Sequence, residues 1–182
     1  MITKRAFLGM GLATLATPAI AQSGFQLDPR FEPRVVPLRY PFKAGQIIVV
    51  PTAHYLYLVQ SDRTALRYGV GVGKAGLEFK GNATIKRKAV WPSWRPTDEM
   101  IERDPRSYAK YADGVPGGPD NPLGARALYL YQGNVDTYFR IHGTTQPRSI
   151  GRSVSNGCIR MINEHVIDLY ERVPTGTLVT VL

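Results

Sequence analysis

Residues 141–161, "IHGTTQPRSIGRSVSNGCIRM", hold the one cysteine of the 182-residue chain and one of its three histidines. A thiol attacks carbonyl carbon as thiolate, and a free cysteine, with a pKa of about 8.5, is mostly protonated near neutrality. Cys158 therefore needs a base, a cation or backbone donors close by. His142 stands sixteen positions upstream and can serve as that base if the intervening glycine-containing loop folds back. Gly157 has no side chain, which lets a substrate carbonyl approach the Gly157 and Cys158 amides as an oxyanion hole. Arg160, two residues on, can stabilise negative charge or grip a carboxylate with two parallel hydrogen bonds. Each feature alone has a plain structural reading, and Ser155 reads equally well as an ordinary loop residue. His54 and His165 are read as structural. No H-E-x-x-H or comparable ligand cluster occurs, so no metal or other cofactor is expected.

The elements that must position these residues follow from pattern. "QIIVV" and "HYLYLVQ" are β-branched and aromatic runs that read as paired strands, and "ALRYGVGVG" reads as a third. Residues 73–84 read as a glycine-punctuated loop and "KRKAVW" as a further strand. "TDEMIER" (97–103) has the makings of a short helix, capped by Thr97 or Asp98 and stopped by Pro105. "DGVPGGPDNPLG" (113–124) is a long turn-rich loop. "ARALYLY" and "TYFRIH" read as strands, the second delivering His142 at its end. "NEHVIDLYERV" reads as a helix N-capped by Asn163, with Val166, Tyr170 and Val173 on one face, and "TLVTVL" closes as a strand. The fold class expected is mostly β with one clear helix in the C-terminal half, in a single domain.

The chain's ends and charge bound its surroundings. Lys4 and Arg5 precede an apolar run from Ala6 to Ala16, and "AIA" at 19–21 offers the small side chains a signal peptidase reads. Residues 1–21 are expected to be a signal peptide cleaved before Gln22, by the general or the twin-arginine route. Residues 22–45, rich in proline and arginine, are expected to be an extended leader, and 46–182 the catalytic domain. The formal charge is +9. It becomes +7 without Lys4 and Arg5, since residues 1–21 carry no acid. An exported basic protein suits anionic wall polymer or lipid headgroups better than nucleic acid, and a plain solvated surface accounts for the charge best of all. No segment beyond the signal is apolar enough to span a membrane. One cysteine makes no internal disulfide, and an odd thiol in an oxidising compartment points to intermolecular pairing or reactivity.

Taken together, "HGT", "IG", "SNGCIRM" and the following "NEHVIDLY" resemble the catalytic domain of L,D-transpeptidases. "YGVGVGKAG", "WPSWRPTDEMIER" and "GGPDNPLGARALYL" extend the resemblance to about residues 46–182. Two departures stand out: Asn156 replaces a histidine common before the glycine, and "GLEFKGNATIKRK" lacks a threonine-proline-x-glycine turn. The resemblance implies a mixed β-sandwich-like fold, Cys158 as nucleophile, His142 as base and later acid, and the Gly143 carbonyl as its orienting group. Gly157 with Cys158 would bind the oxyanion, while Ser155 and Arg160 would shape the site. It implies acyl transfer on peptidoglycan stem peptides in the periplasm or cell wall. A diaminopimelate or lysine carbonyl of a tetrapeptide stem would form a thioester, D-alanine would leave, and an amine would resolve the intermediate. That amine could belong to a second stem or to an outer-membrane protein. Carbapenems would acylate the same thiol. A carboxypeptidase on peptidoglycan and a catalytically silent wall-binding module are the rival readings. A sortase fits poorly, because its histidine and arginine lie much farther from its cysteine.

Overall fold

The structure, a computed structural model, describes residues 25–77 and 79–182. The expected signal peptide lies outside the described residues. Eleven strands and three α-helices are described, joined by short 3-10 turns. In chain order the strands are β1 (Arg34–Pro37), β2 (Ile47–Val50), β3 (Tyr55–Val59), β4 (Thr64–Gly69), β5 (Val72–Gly73) and β6 (Gly81–Val90). After helices α1 (Asp98–Arg103) and α2 (Pro105–Tyr108) come β7 (Arg126–Gln132), β8 (Val135–His142), β9 (Ser153–Ser155) and β10 (Ile159–Arg160). Helix α3 (Asn163–Arg172) and β11 (Leu178–Val181) complete the chain.

Nine strands form one sheet in the order β1-β4-β3-β2-β11-β6-β7-β8-β10, and β5 pairs with β9 beside it. Most neighbours are antiparallel; β11 with β2, β10 with β8, and β5 with β9 run parallel. The sheet curls on itself because the chain leaving β4 reaches the opposite edge. There Gly71 donates to the Arg160 carbonyl at 2.9 Å and accepts from the Arg160 N–H at 2.8 Å. Gly71 is needed at that crossing, since a Cβ would stand 2.5 Å from the Ser149 carbonyl oxygen. The core between the curled layers is aliphatic: Ile47, Val49, Leu56, Ile85, Leu128, Leu130 and Ile141 are fully buried. Helix α3 closes it with Val166 and Leu169 and packs on β7 and β8. No helix among the described residues is long and apolar enough to cross a membrane.

Several sequence readings shift in detail. The run 65–73 breaks at Val70–Gly71 into β4 and β5 rather than forming one strand. The expected loop 73–84 ends early, because β6 starts at Gly81. Pro105 ends α1 yet opens α2, where a missing N–H costs nothing. Thr97 is the α1 cap, accepting from the Met100 N–H at 3.3 Å. Asn163 is not the cap of α3: Ile162 holds that position, and the Asn163 side chain turns elsewhere. His54 lies not within a strand but just before β3, in left-handed backbone with φ 58°.

The stretch read as a leader joins the sheet. Strand β1 pairs antiparallel with β4, and the buried Phe31 ring covers Gly69 and Gly151, where any Cβ would collide with it.

Candidate active site

Cys158 and His142 meet through the register of two adjacent strands. Strand β10 pairs in parallel with β8, Ile159 opposite Ile141 and Arg160 opposite His142. Side chains directly across a sheet share a face, and alternate residues along a strand return to it. Arg160 and His142 therefore share one face, with Cys158 and Arg140 two residues before each of them. Ile141 and Ile159 point the other way and are buried in the core at 0% and 4% exposure, which fixes the register. A slip of β10 by one residue would turn the thiol toward the core and Ile159 away from it.

The His142 ring is buried, and its Nδ1 lies 2.5 Å from the Gly143 carbonyl oxygen. A carbonyl only accepts, so Nδ1 carries the proton and Nε2 keeps its lone pair. Burial, followed by the Arg160 charge, pushes the His142 pKa down to about 4, against the pull of the Gly143 and Leu123 carbonyls. The imidazole is thus neutral near pH 7. Gly143 itself is packed so closely that a Cβ would strike the Asn163 side-chain oxygen, and Gly124 meets the same oxygen from the other side. That oxygen accepts from the Ala125 N–H at 3.0 Å, tying the start of α3 to the strand that faces His142.

Cys158 is a free, half-buried thiol that donates to the Tyr138 carbonyl at 3.9 Å. Among the described residues no hydrogen bond joins it to His142. Tyr138 sits at φ 61° next to a register slip between β7 and β8, which turns its carbonyl toward the thiol. Burial pushes the thiol pKa up, while the Arg140 backbone N–H and the Arg140 and Arg160 charges pull it down. The imidazole carries no charge, and desolvation of the thiolate outweighs the cations. The resting pair is thiol and neutral imidazole.

Ser155 has a definite task. It is buried, its hydroxyl donates to the Cys158 carbonyl at 2.6 Å, and the Gly157 N–H donates to it at 3.1 Å. One side chain thereby closes the turn before Cys158. Gly157 adopts φ 116°, and a Cβ there would collide with the Phe139 ring and the Leu77 carbonyl. Of the two adjacent amides expected at an oxyanion hole, the Gly157 N–H is engaged by Ser155 in this structure. The Cys158 N–H has no partner among the described residues and remains available.

The cations differ in their partners. Arg140 is gripped by both Asp136 carboxylate oxygens, at 2.7 and 2.9 Å, and is compensated. Arg160 donates to the neutral Gln146 side chain at 3.0 Å. The long excursion between β6 and β7 reaches the same edge. Arg103 donates to the Asn156 side-chain oxygen at 3.0 Å, and the Asn156 side-chain amide donates to the Tyr108 hydroxyl at 2.6 Å. Sequence reading passed over Arg103 and Tyr108 and gave Asn163 only a cap's role, since nothing in their spacing signals contacts made 38 to 53 residues away. A cleft of about 580 Å³ lies elsewhere, between residues 25–32 and the start of α3, and neither Cys158 nor His142 lines it. Among the described residues no group of three or more His, Cys, Asp or Glu side chains could hold a metal ion.

Comparison with known proteins gives a consistent family result. The model of the YkuD family, described as the L,D-transpeptidase catalytic domain, matches residues 44–181. YkuD of Bacillus subtilis, which carries the L,D-transpeptidase name, is 49% identical over 140 residues, 76% of each protein. A crystal structure from Brucella melitensis, described as "Probable carnitine operon oxidoreductase caia", is 58% identical with a TM-score of 0.58. It covers 86% of this chain and 96% of its own. An L,D-transpeptidase from Mycobacterium smegmatis shares the fold at 22% identity and a TM-score of 0.54, over 75% of this chain and 58% of its own. Against two Escherichia coli relatives bearing the L,D-transpeptidase name, the chain spans about half the relative's length, 56% and 43%.

Proposed function

The chain belongs to the L,D-transpeptidase catalytic domain family, and on that premise we propose that it transfers acyl groups between peptidoglycan stem peptides through Cys158. The observation that carries the reading is the shared face of β8 and β10, with His142 opposite Arg160 and the thiol one alternation away. Substrate brings the Cys158 thiol to His142 Nε2, as catalytic hydrogen bonds often tighten only in the complex. Nε2 takes the thiol proton as sulfur attacks the carbonyl carbon of the third stem residue, diaminopimelate or lysine. The free Cys158 N–H binds the developing oxyanion, and Arg160 adds positive charge. The C–N bond to D-alanine then breaks, and its nitrogen leaves with the proton from the imidazolium. An amine attacks the thioester, His142 accepts its proton, and the departing thiolate is reprotonated. Covalent catalysis divides the transfer into two easier steps and conserves acyl reactivity without a nucleotide.

The Gly143 carbonyl holds the imidazole tautomer. Ser155 acts through the turn rather than on the substrate. Export to the periplasm or wall, and an acceptor amine from a second stem or an outer-membrane protein, belong to the same proposal. Testing it requires the protein, a disaccharide tetrapeptide and an amine acceptor, with D-alanine release and product mass followed together. Transfer should be lost in Cys158→Ser. D-Alanine release without an amine-trapped product would favour a carboxypeptidase, and activity retained in Cys158→Ser would refute the mechanism.

The name of the Brucella melitensis protein raises a redox reading, and residues 71–76 do spell G-x-G-x-x-G. That fingerprint binds a dinucleotide by opening a helix whose N-terminus meets the pyrophosphate. Here the run passes from β5 into a turn and on toward β6, so the helix it needs is not the next element.

A further inference from the structure

Two guanidinium groups near the Ser155–Arg160 turn are held differently from the ion-paired arginines among the described residues. Arg30, Arg95, Arg140 and Arg172 each face an aspartate within 2.9 Å. Arg160 and Arg103 are held instead by neutral amide side chains, Gln146 and Asn156. A neutral amide fixes the direction of a guanidinium without cancelling its charge, and it leaves the other N–H groups of the fork open. Arg103 has no carboxylate within ion-pair distance among the described residues. Glu99, one helical turn back, senses its charge from farther away.

Arg103 is also firmly placed. The excursion that carries it is closed at its base by paired hydrogen bonds between Trp94 and Val115, 2.9 and 2.6 Å, and by Arg95 donating to the Ala112 carbonyl at 2.8 Å. Trp94 packs edge-on against Tyr108 and Tyr111. Tyr108 then meets Asn156, the residue two before the nucleophile, so α1 presents Arg103 at the mouth of the site.

We propose that Arg103, held in place by Asn156, is an anion-recognition residue that binds a substrate carboxylate beside Cys158. The ligand class is an anionic peptide, and with the proposed transfer activity the carboxylate would belong to the peptidoglycan stem. In that setting Arg160 serves the reacting end and Arg103 a carboxylate farther along the chain. The excursion between β6 and β7 is then part of substrate selection as well as cover.

The test uses two thiol reagents of nearly equal size, anionic iodoacetate and neutral iodoacetamide, on the full protein. Both react with the thiolate, so their rate ratio at Cys158 cancels any change in thiol pKa and reports local attraction for a carboxylate. Arg103→Gln should lower the iodoacetate-to-iodoacetamide ratio about two- to fivefold, the range of a solvent-exposed ion pair. Arg103→Lys should restore most of it, and Asn156→Ala should lower it as Arg103→Gln does. A ratio unchanged in Arg103→Gln, or both reagents shifted by one common factor, would reduce Arg103 to a latch and overturn the inference. With stem peptides, amidating the carboxylates should slow D-alanine release by the parent and leave Arg103→Gln indifferent. A parent that releases no D-alanine would sink the transfer activity, while the reagent ratio would still decide the role of Arg103.

Discussion

Replacing Ser155 with alanine tests whether one hydroxyl organises the nucleophile turn. Ser155 is 2% exposed, and its oxygen serves two backbone groups at once, the Cys158 carbonyl and the Gly157 N–H. Alanine removes both hydrogen bonds and leaves two inward-facing backbone groups unpaired. Each such loss costs about 1–3 kcal/mol, so the pair should cost roughly 2–4 kcal/mol once partial relaxation is allowed. For a domain of this size each kcal/mol moves Tm by about 2–4 °C, so a fall of roughly 5–15 °C is expected. The Lys74 N–H still holds the Ser155 carbonyl at 3.0 Å, so the turn loosens without leaving the sheet. A displacement of about 1 Å in the thiol can cost about 100-fold in turnover. Urea titration should show a lower midpoint at unchanged slope, and acyl transfer should fall more than the folded fraction does. A variant within about 0.5 kcal/mol of the parent, transferring at the parental rate, would show that backbone pairing alone sets the turn.

Three further outcomes follow from the same site. Gly157→Ala places a Cβ against Phe139 and the Leu77 carbonyl at φ 116°, and should destabilise by about 2 kcal/mol or more, read by the same titration. Because burial raises the Cys158 pKa, iodoacetamide should alkylate it slowly at neutral pH and keep accelerating above the range of an exposed thiol. A plateau below about pH 8 would contradict this. His142 is neutral in the fold down to about pH 4, whereas the unfolded chain binds the proton near 6.5. Its contribution is therefore full above pH 6.5 and is lost as pH falls from 6.5 to 4, by up to about 3 kcal/mol. His54 and His165 shift in the same direction, so the difference between parent and His142→Gln isolates the term, and equal slopes would refute it.

The parts legible from sequence are those written in local chemistry. The β-branched and aromatic runs at 47–50 and 55–59 read as paired strands, and the end of "TYFRIH" placed His142 at a strand terminus, as found. The α3 stripe was visible in part: Val166 is buried within the helix, whereas Val173 follows it as the extended C-cap and Leu169 completes the buried face. What stayed hidden depends on register between distant segments. Arg160 lies opposite His142 because two isoleucines prefer the core, a choice that appears only once β8 and β10 are paired. Asn163 looked like a cap because asparagine commonly is one. The close passage of Gly124 and Gly143 gives its oxygen a better partner in the Ala125 N–H. Ser155 could not be told from a loop serine, since its role lies in the backbone conformation of the two residues after it. The thiol pKa is hidden for a related reason: sequence suggests a base close by, but not the desolvation that raises the value.

The seating of Phe31 bears on where this protein can be cut. Homology draws the domain boundary at residue 44, yet the ring that covers Gly69 and Gly151 and the strand that pairs with β4 both lie before it. A fragment trimmed to that boundary would bare the β4 edge and uncover the two glycines. Bare edges invite strand addition by neighbouring molecules. Gly151 belongs to the loop that joins His142 to Cys158, so the damage would reach the proposed catalytic pair from behind. A shortened protein that aggregates or loses activity would then report on its missing N-terminal wedge, not on its chemistry.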